Sequence, residues 1–163
     1  MSEATQFDII EQIGQDLEQV EVSLAASFET GAEDFNALIR PLSAAGGKRL
    51  RAQLCILVAL AGNSIQEERI KIAESVEMLH LATLIHDDVL DQSAIRRGES
   101  TIHTHKGNKI AILSGDYLFA KCFALVASLN STEYLKVFTH IITCLVEGEF
   151  MQMEDVYRID QGI

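Results

Sequence analysis

The chain reads as an all-α domain, and three observations carry that reading. Helix formers dominate a sequence of 163 residues with a single proline, Pro41. No run alternates cleanly between apolar and polar residues, as a half-buried strand would. Apolar residues instead recur at helical spacing, as Ile9, Ile13, Leu17 and Val20 do near the start.

The first helix is predicted over residues 4–30, with those four side chains on one face. A short helix follows over 33–40, ended by Pro41 and the stretch from Ser43 to Gly47. A third runs from Lys48 to Ala61 and stops at Gly62-Asn63. Ser64 then reads as an N-cap, with Glu67 three residues on completing a capping box. From there a long helix reaches Asp91 or Gln92. The segment QSAIRRGES lacks periodicity and reads as a loop, and His103 and His105 read as loop residues after it. Helices over 109–129 and 132–157 complete the chain. The mostly apolar AILSGDYLFAKCFALVASL within them implies deep burial or an interface with another subunit.

Composition narrows the function. Apolar residues make up 48% and charged residues 23%, which is globular rather than disordered. A net charge of -11 argues against a nucleic-acid binder, which needs a basic footprint. The basic residues nevertheless cluster, as Lys48, Arg49 and Arg51 and as Arg96 with Arg97. Two cationic spots on an acidic body suggest small anionic ligands. Cys55, Cys122 and Cys144 are far apart in apolar segments and read as reduced core thiols. No basic stretch precedes an apolar one at the N-terminus, so no signal peptide is expected. The run from Leu54 to Gly62 is too short to span a bilayer, and Asp116 and Lys121 interrupt the run from Ile110 to Leu129. A soluble cytoplasmic protein without stable membrane insertion is the expectation.

The segment LIHDDVLDQSAIRRGES, Leu84 to Ser100, holds the densest chemistry. Asp87, Asp88 and Asp91 lie three and four residues apart, so on a helix they share one face. They repel one another, and the helix C-terminus disfavours them further. A solvated acidic face is the bland alternative, but Leu84, Ile85, Val89 and Leu90 surround the cluster and no lysine lies within it. Oxygen-only ligands with open positions suit Mg²⁺ shared with substrate phosphates. His80, two turns earlier, falls on the same face, either structural or functional. His80, His86, His103 and His105 show no zinc spacing. GGKRLR, Gly46 to Arg51, places two glycines and three cations at a helix start. A phosphate held there would offset that unfavourable charge. The order of residues is not that of a Walker A loop. Arg96 and Arg97 add two further cations beyond Asp91. Together these residues suit two diphosphate esters, one leaving with metal assistance.

These residues resemble the trans-polyprenyl diphosphate synthases, the head-to-tail prenyltransferases. The resemblance covers about Phe35 to Tyr157 through GGKRLR, EMLHLATLIHDDVLDQSAIRRG, LSGDYLFAKCF and EGEFMQ. It implies an isoprenoid synthase-type helical bundle around a central cavity. It implies that Lys48, Arg51 and His80, helped by Arg97, hold isopentenyl diphosphate. Asp87, Asp88 and Asp91 would bind Mg²⁺ bridging to an allylic diphosphate, with Arg96 on the same group and Gln152 along the allylic chain. The small Ala82 and Thr83, just before the first aspartate, would leave the cavity floor open and favour a medium or long product. A homodimer through the segments 109–129 and 132–157 is also implied.

The match has departures. The family carries a second aspartate-rich motif and an intervening lysine that this sequence lacks, and its members are about twice as long. Ala52 stands where the family usually has proline. Three expectations follow: the N-terminal half of a prenyltransferase, a binding subunit whose partner supplies the second motif, or an unrelated helical module that binds metal or another protein.

Overall fold

A computed structural model describes residues 3–29, 33–44 and 47–155. Within them the chain forms α1 (Glu3–Ser27), α2 (Glu33–Ala44), α3 (Leu50–Ala61), α4 (Gln66–Leu90), β1 (Ile95–Arg96), β2 (Glu99–Ser100), α5 (Ile102–Lys106), α6 (Asn108–Ala127) and α7 (Thr132–Asp155). The all-α class holds, apart from one two-stranded hairpin. Residue 30, the Ala45-Gly46 pair of the glycine stretch, and residues 156 and 157 lie outside the described residues.

Helix α4 is the organising element. It packs mainly against α6, then against α3 and α1. Leu24, Phe28, Ile39, Met78, Leu81, Ala82, Ile85, Leu118, Cys122, Val126 and Phe138 form the main core. Val20, Ala52, Ile56 and Ala73 form a smaller one where α1, α3 and α4 meet. By length and composition α6 could cross a membrane. Here it lies against α4, with Ala111, Ser114, Gly115, Leu118, Cys122 and Val126 buried.

The α1–α4 seam also holds charge that periodicity could not foretell. Asp16 is fully buried and pairs with Arg69. Burial alone would raise its carboxyl pKa, but hydrogen bonds from Arg69, Gln66 and Gln12 hold it below 3.8. Buried Glu74 accepts hydrogen bonds from Ser23 (2.6 Å) and Ser27 (2.8 Å).

Five local expectations are corrected. Pro41 does not end α2, which continues to Ala44. Proline leaves the Ala37 carbonyl without its helical partner, but Ala37 is exposed to solvent. Lys48 and Arg49 precede α3 rather than forming its first turn, and Arg49 is its left-handed N-cap (φ 45°). Ser64 does not cap α4: Ile65 is the N-cap, the Ser64 hydroxyl is buried with no hydrogen-bond partner among the described residues, and Glu67 pairs with Lys71. His103 and His105 lie in α5 rather than in a loop. Finally, Cys144 is exposed. Cys122 is a core thiol whose pKa burial pushes up to about 12, and it donates to the Ser75 carbonyl.

Candidate active site

The aspartates close α4. Asp91 is its C-cap, and its N–H donates to the Asp87 carbonyl at 2.8 Å. Asp88 is buried, Asp87 half-buried and Asp91 exposed. Desolvation raises the Asp87 carboxyl above 3.8, and the charges of Asp91 and Asp88 add to that, against Arg96 and His86. The trio is divided, however. Asp88 Oδ1 accepts a 2.7 Å hydrogen bond from Arg96 Nε, which ties the helix end to the hairpin. Among the described residues no three carboxylate, imidazole or thiol groups converge as a preformed metal cage.

The two basic clusters do converge. The hairpin pairs Ile95 with Ser100 and Arg96 with Glu99. Arg97 and Gly98 form its tip with φ of 52° and 86°, the signature of a type I′ turn. That turn sends the two arginines different ways, Arg96 to Asp88 and Arg97 to the loop before α3. A methyl on Gly47 would lie 3.5 Å from an Arg97 guanidinium nitrogen, an ordinary contact that places the guanidinium against this loop. His80 stands beneath them on α4. Burial lowers its pKa below 6.5, and Arg51, Arg97 and Arg96 lower it further, against Glu77. Arg51, His80, Arg96 and Arg97 thus bear on one region, and Lys48 stands exposed at its edge.

Beside Asp87 a groove of about 460 Å³ runs between α4, α6 and α7. Thr83, Leu90, Phe119, Phe123, Ile142 and Phe150 are among its walls. Thr83 lies one turn below Asp87 and lines it. Ala82 does not: it is fully buried in the main core. Gln152 is exposed on α7 and does not line the groove. On the other side of α4, Asp88, Arg96 and Arg97 border a second cavity of about 730 Å³ against α2.

Two structural roles escaped the sequence reading. Arg49, grouped there with the ligand cations, is buried between carboxylates. Its Nε and Nη2 donate to Glu21 at 2.6 and 3.1 Å, and Nη1 to Glu77 at 3.2 Å. A glutamate directly between Val76 and Met78 on α4 was the available signal for Glu77. Gly115 accommodates the His86 ring, which a methyl there would overlap. The His86 Nε2 lies 3.1 Å from the Ile112 carbonyl oxygen and 3.6 Å from Asp116 Oδ1, and the ring stacks at a tilt on Phe119. A glycine inside the apolar α6 was the signal there.

Comparison with known proteins bears on the family and the fold. Residues 32–162 match the polyprenyl synthetase family model. A prenyl transferase of Porphyra purpurea is 39% identical over 91% of this chain and 47% of its own length. The octaprenyl diphosphate synthase of Escherichia coli is 32% identical over 91% of this chain and 46% of its own. The chain thus spans about half the length of these curated relatives. A crystal structure of a Caulobacter crescentus polyprenyl synthase, complexed with calcium and isoprenyl diphosphate, superposes with a TM-score of 0.87 at 33% identity, over 94% of this chain and 47% of that one. With a family match over most of its length and a backbone that follows the solved members, this chain belongs to the polyprenyl synthetase family.

Proposed function

We propose that this chain forms the diphosphate-binding half of a prenyltransferase that adds isopentenyl diphosphate head-to-tail to an allylic diphosphate. The observation that carries the proposal is the gathering of Arg51, His80, Arg96 and Arg97 beside Asp87 and Asp91. Two clusters of opposite sign, distant in sequence, meet at one helix end. Diphosphate with a divalent cation satisfies both.

The residues fit that cation. Asp87 and Asp91 offer carboxylate oxygens, and the Asp87 pKa is raised first by desolvation and then by the charge of Asp91. Two carboxylates leave open positions for water and phosphate oxygens, which suits Mg²⁺. Asp88 is given a different part: it orients Arg96 toward the leaving diphosphate. Asp87 and Asp91 would hold the Mg²⁺, which would supply positive charge against the charge that builds as the diphosphate leaves. Lys48, Arg51, His80 and Arg97 hold the isopentenyl diphosphate. The groove past Thr83 takes the growing hydrocarbon chain and keeps water from the reacting carbon. Its apolar walls and the small Thr83 favour a medium or long product. A homodimer in the cytoplasm belongs to the same proposal.

A second reading is favoured by the exposed Val137, Ile141, Leu145, Phe150 and Met151 of α7. In it the chain is a diphosphate-binding subunit, and a partner covers this face and supplies further metal ligands. One experiment separates the two. The chain is incubated with Mg²⁺, farnesyl diphosphate and radiolabelled isopentenyl diphosphate, and pyrophosphate binding is measured by calorimetry alongside. Label in the butanol extract that disappears in Asp87→Ala supports the transferase. Mg²⁺-dependent pyrophosphate binding without label supports the subunit. Absence of both overturns the two together.

A further inference from the structure

We propose that Glu77 is a positioning residue for diphosphate binding, holding the cationic loop before α3 at the site. This rests on the function proposed above. Glu77 is buried on α4, one turn before His80. One of its carboxylate oxygens goes to the loop and the other to the first turn of α3. Oε2 accepts from Arg49 Nη1 at 3.2 Å, and Oε1 accepts from the Ala52 backbone N–H at 3.2 Å.

Each bond has a physical reason. Ala52 lies in the first turn of α3, whose N–H groups have no partner within the helix. The N-cap, Arg49, has no side-chain oxygen and makes no capping bond. Glu77 therefore caps α3 from another helix. Arg49 itself is held at φ 45°, a conformation that costs energy in a non-glycine residue. Its ion pairs with Glu77 and Glu21, whose chains lie on α4 and α1, keep it there.

The consequence reaches the ligand residues through the backbone. Lys48 and Arg51 flank Arg49 and Leu50, so fixing Arg49 and Ala52 fixes where both cations begin. Gly47, on the same loop, receives the Arg97 guanidinium. Glu77 also offsets the cations around His80, namely Arg51, Arg97 and Arg96. One buried carboxylate thereby links the loop, the first turn of α3 and the imidazole, without touching the anion itself.

Glu77→Gln separates this role from simple support. Glutamine keeps an oxygen for the Ala52 N–H and nearly the same volume, but loses the charge that holds Arg49 and offsets the cations at His80. Two readouts are taken on the full chain. Calorimetry follows inorganic pyrophosphate with Mg²⁺, and NMR follows the His80 ring as it titrates. The expected result is pyrophosphate affinity reduced several-fold and a His80 midpoint below that of the wild type. Glu77→Asp, which retains the charge, should keep the His80 midpoint close to the wild type. Unchanged affinity in Glu77→Gln, beside a wild type that binds, overturns the positioning role alone. An unmoved His80 midpoint overturns it as well. A wild type that fails to bind pyrophosphate overturns the functional reading, and this role with it.

Discussion

Asp87 shows how a single side chain records a site. Its carboxyl is held above 3.8, first by desolvation and then by Asp91. A raised acid pKa means that the folded form takes up the proton more readily. The stability it contributes is fully present below about pH 4 and is lost as pH rises through the raised value. In metal-free buffer near neutral pH, Asp87→Asn should therefore melt at a higher temperature than the wild type. Mg²⁺ should raise the melting temperature of the wild type and leave that of the variant unmoved. A variant that melts lower in both buffers would show that the ionised carboxylate is structural. Gly115 is the complementary case, a residue defined by what it lacks. Gly115→Ala should cost about 1–3 kcal/mol in urea unfolding, towards the low end because the half-buried His86 ring can swing outward. An unchanged midpoint would mean that the His86 contact with α6 contributes nothing.

At the scale of the element, α4 keeps different chemistry on different sides. Ala82 and Thr83 are neighbours in sequence, yet one is core and the other lines the groove. Both small residues suggested an open floor, and the structure separates their consequences. On the proposed function, Thr83→Phe should shorten the prenyl product, read by chromatography of the labelled extract, with little change in stability. Ala82→Phe should instead overpack the core and destabilise the fold by about 1–3 kcal/mol or more in denaturant. Equal stability loss in the two variants would sink this assignment of faces. The hairpin makes a related point. Its strands have two residues each and its turn places arginine, rather than asparagine or aspartate, at a positive φ. Neither periodicity nor turn composition announces it. The Asp88–Arg96 pair and the approach of Arg97 to Gly47 supply what the local sequence lacks.

At the scale of the whole molecule, apolar surface is unevenly distributed. Helix α7 exposes Val137, Ile141, Leu145, Val146, Phe150 and Met151, and α6 adds Ile112 and Leu113. Such a surface favours association in water. At micromolar concentration the chain should sediment as a dimer or larger, and Ile141→Glu with Leu145→Glu should shift it towards monomer. A monomeric wild type would count against the proposed homodimer.

Much was legible from the residues alone. The helical class, the positions of α1, α4, α6 and α7 and the chemical character of the aspartate and arginine clusters depend on spacing along the chain. Spacing along a helix is a local property that sequence states directly. Tertiary structure decided which charges serve ligands and which serve the fold. Arg49 and Arg51 are two residues apart in one basic motif, but Arg49 is buried between Glu21 and Glu77 while Arg51 bears on His80. Asp87 and Asp88 are adjacent, but Asp88 is committed to Arg96 and Asp87 opens on the groove. The physical reason is the same in both cases. A buried charge needs a partner, and that partner is brought in from another element, far away in sequence, by the packing of the helices.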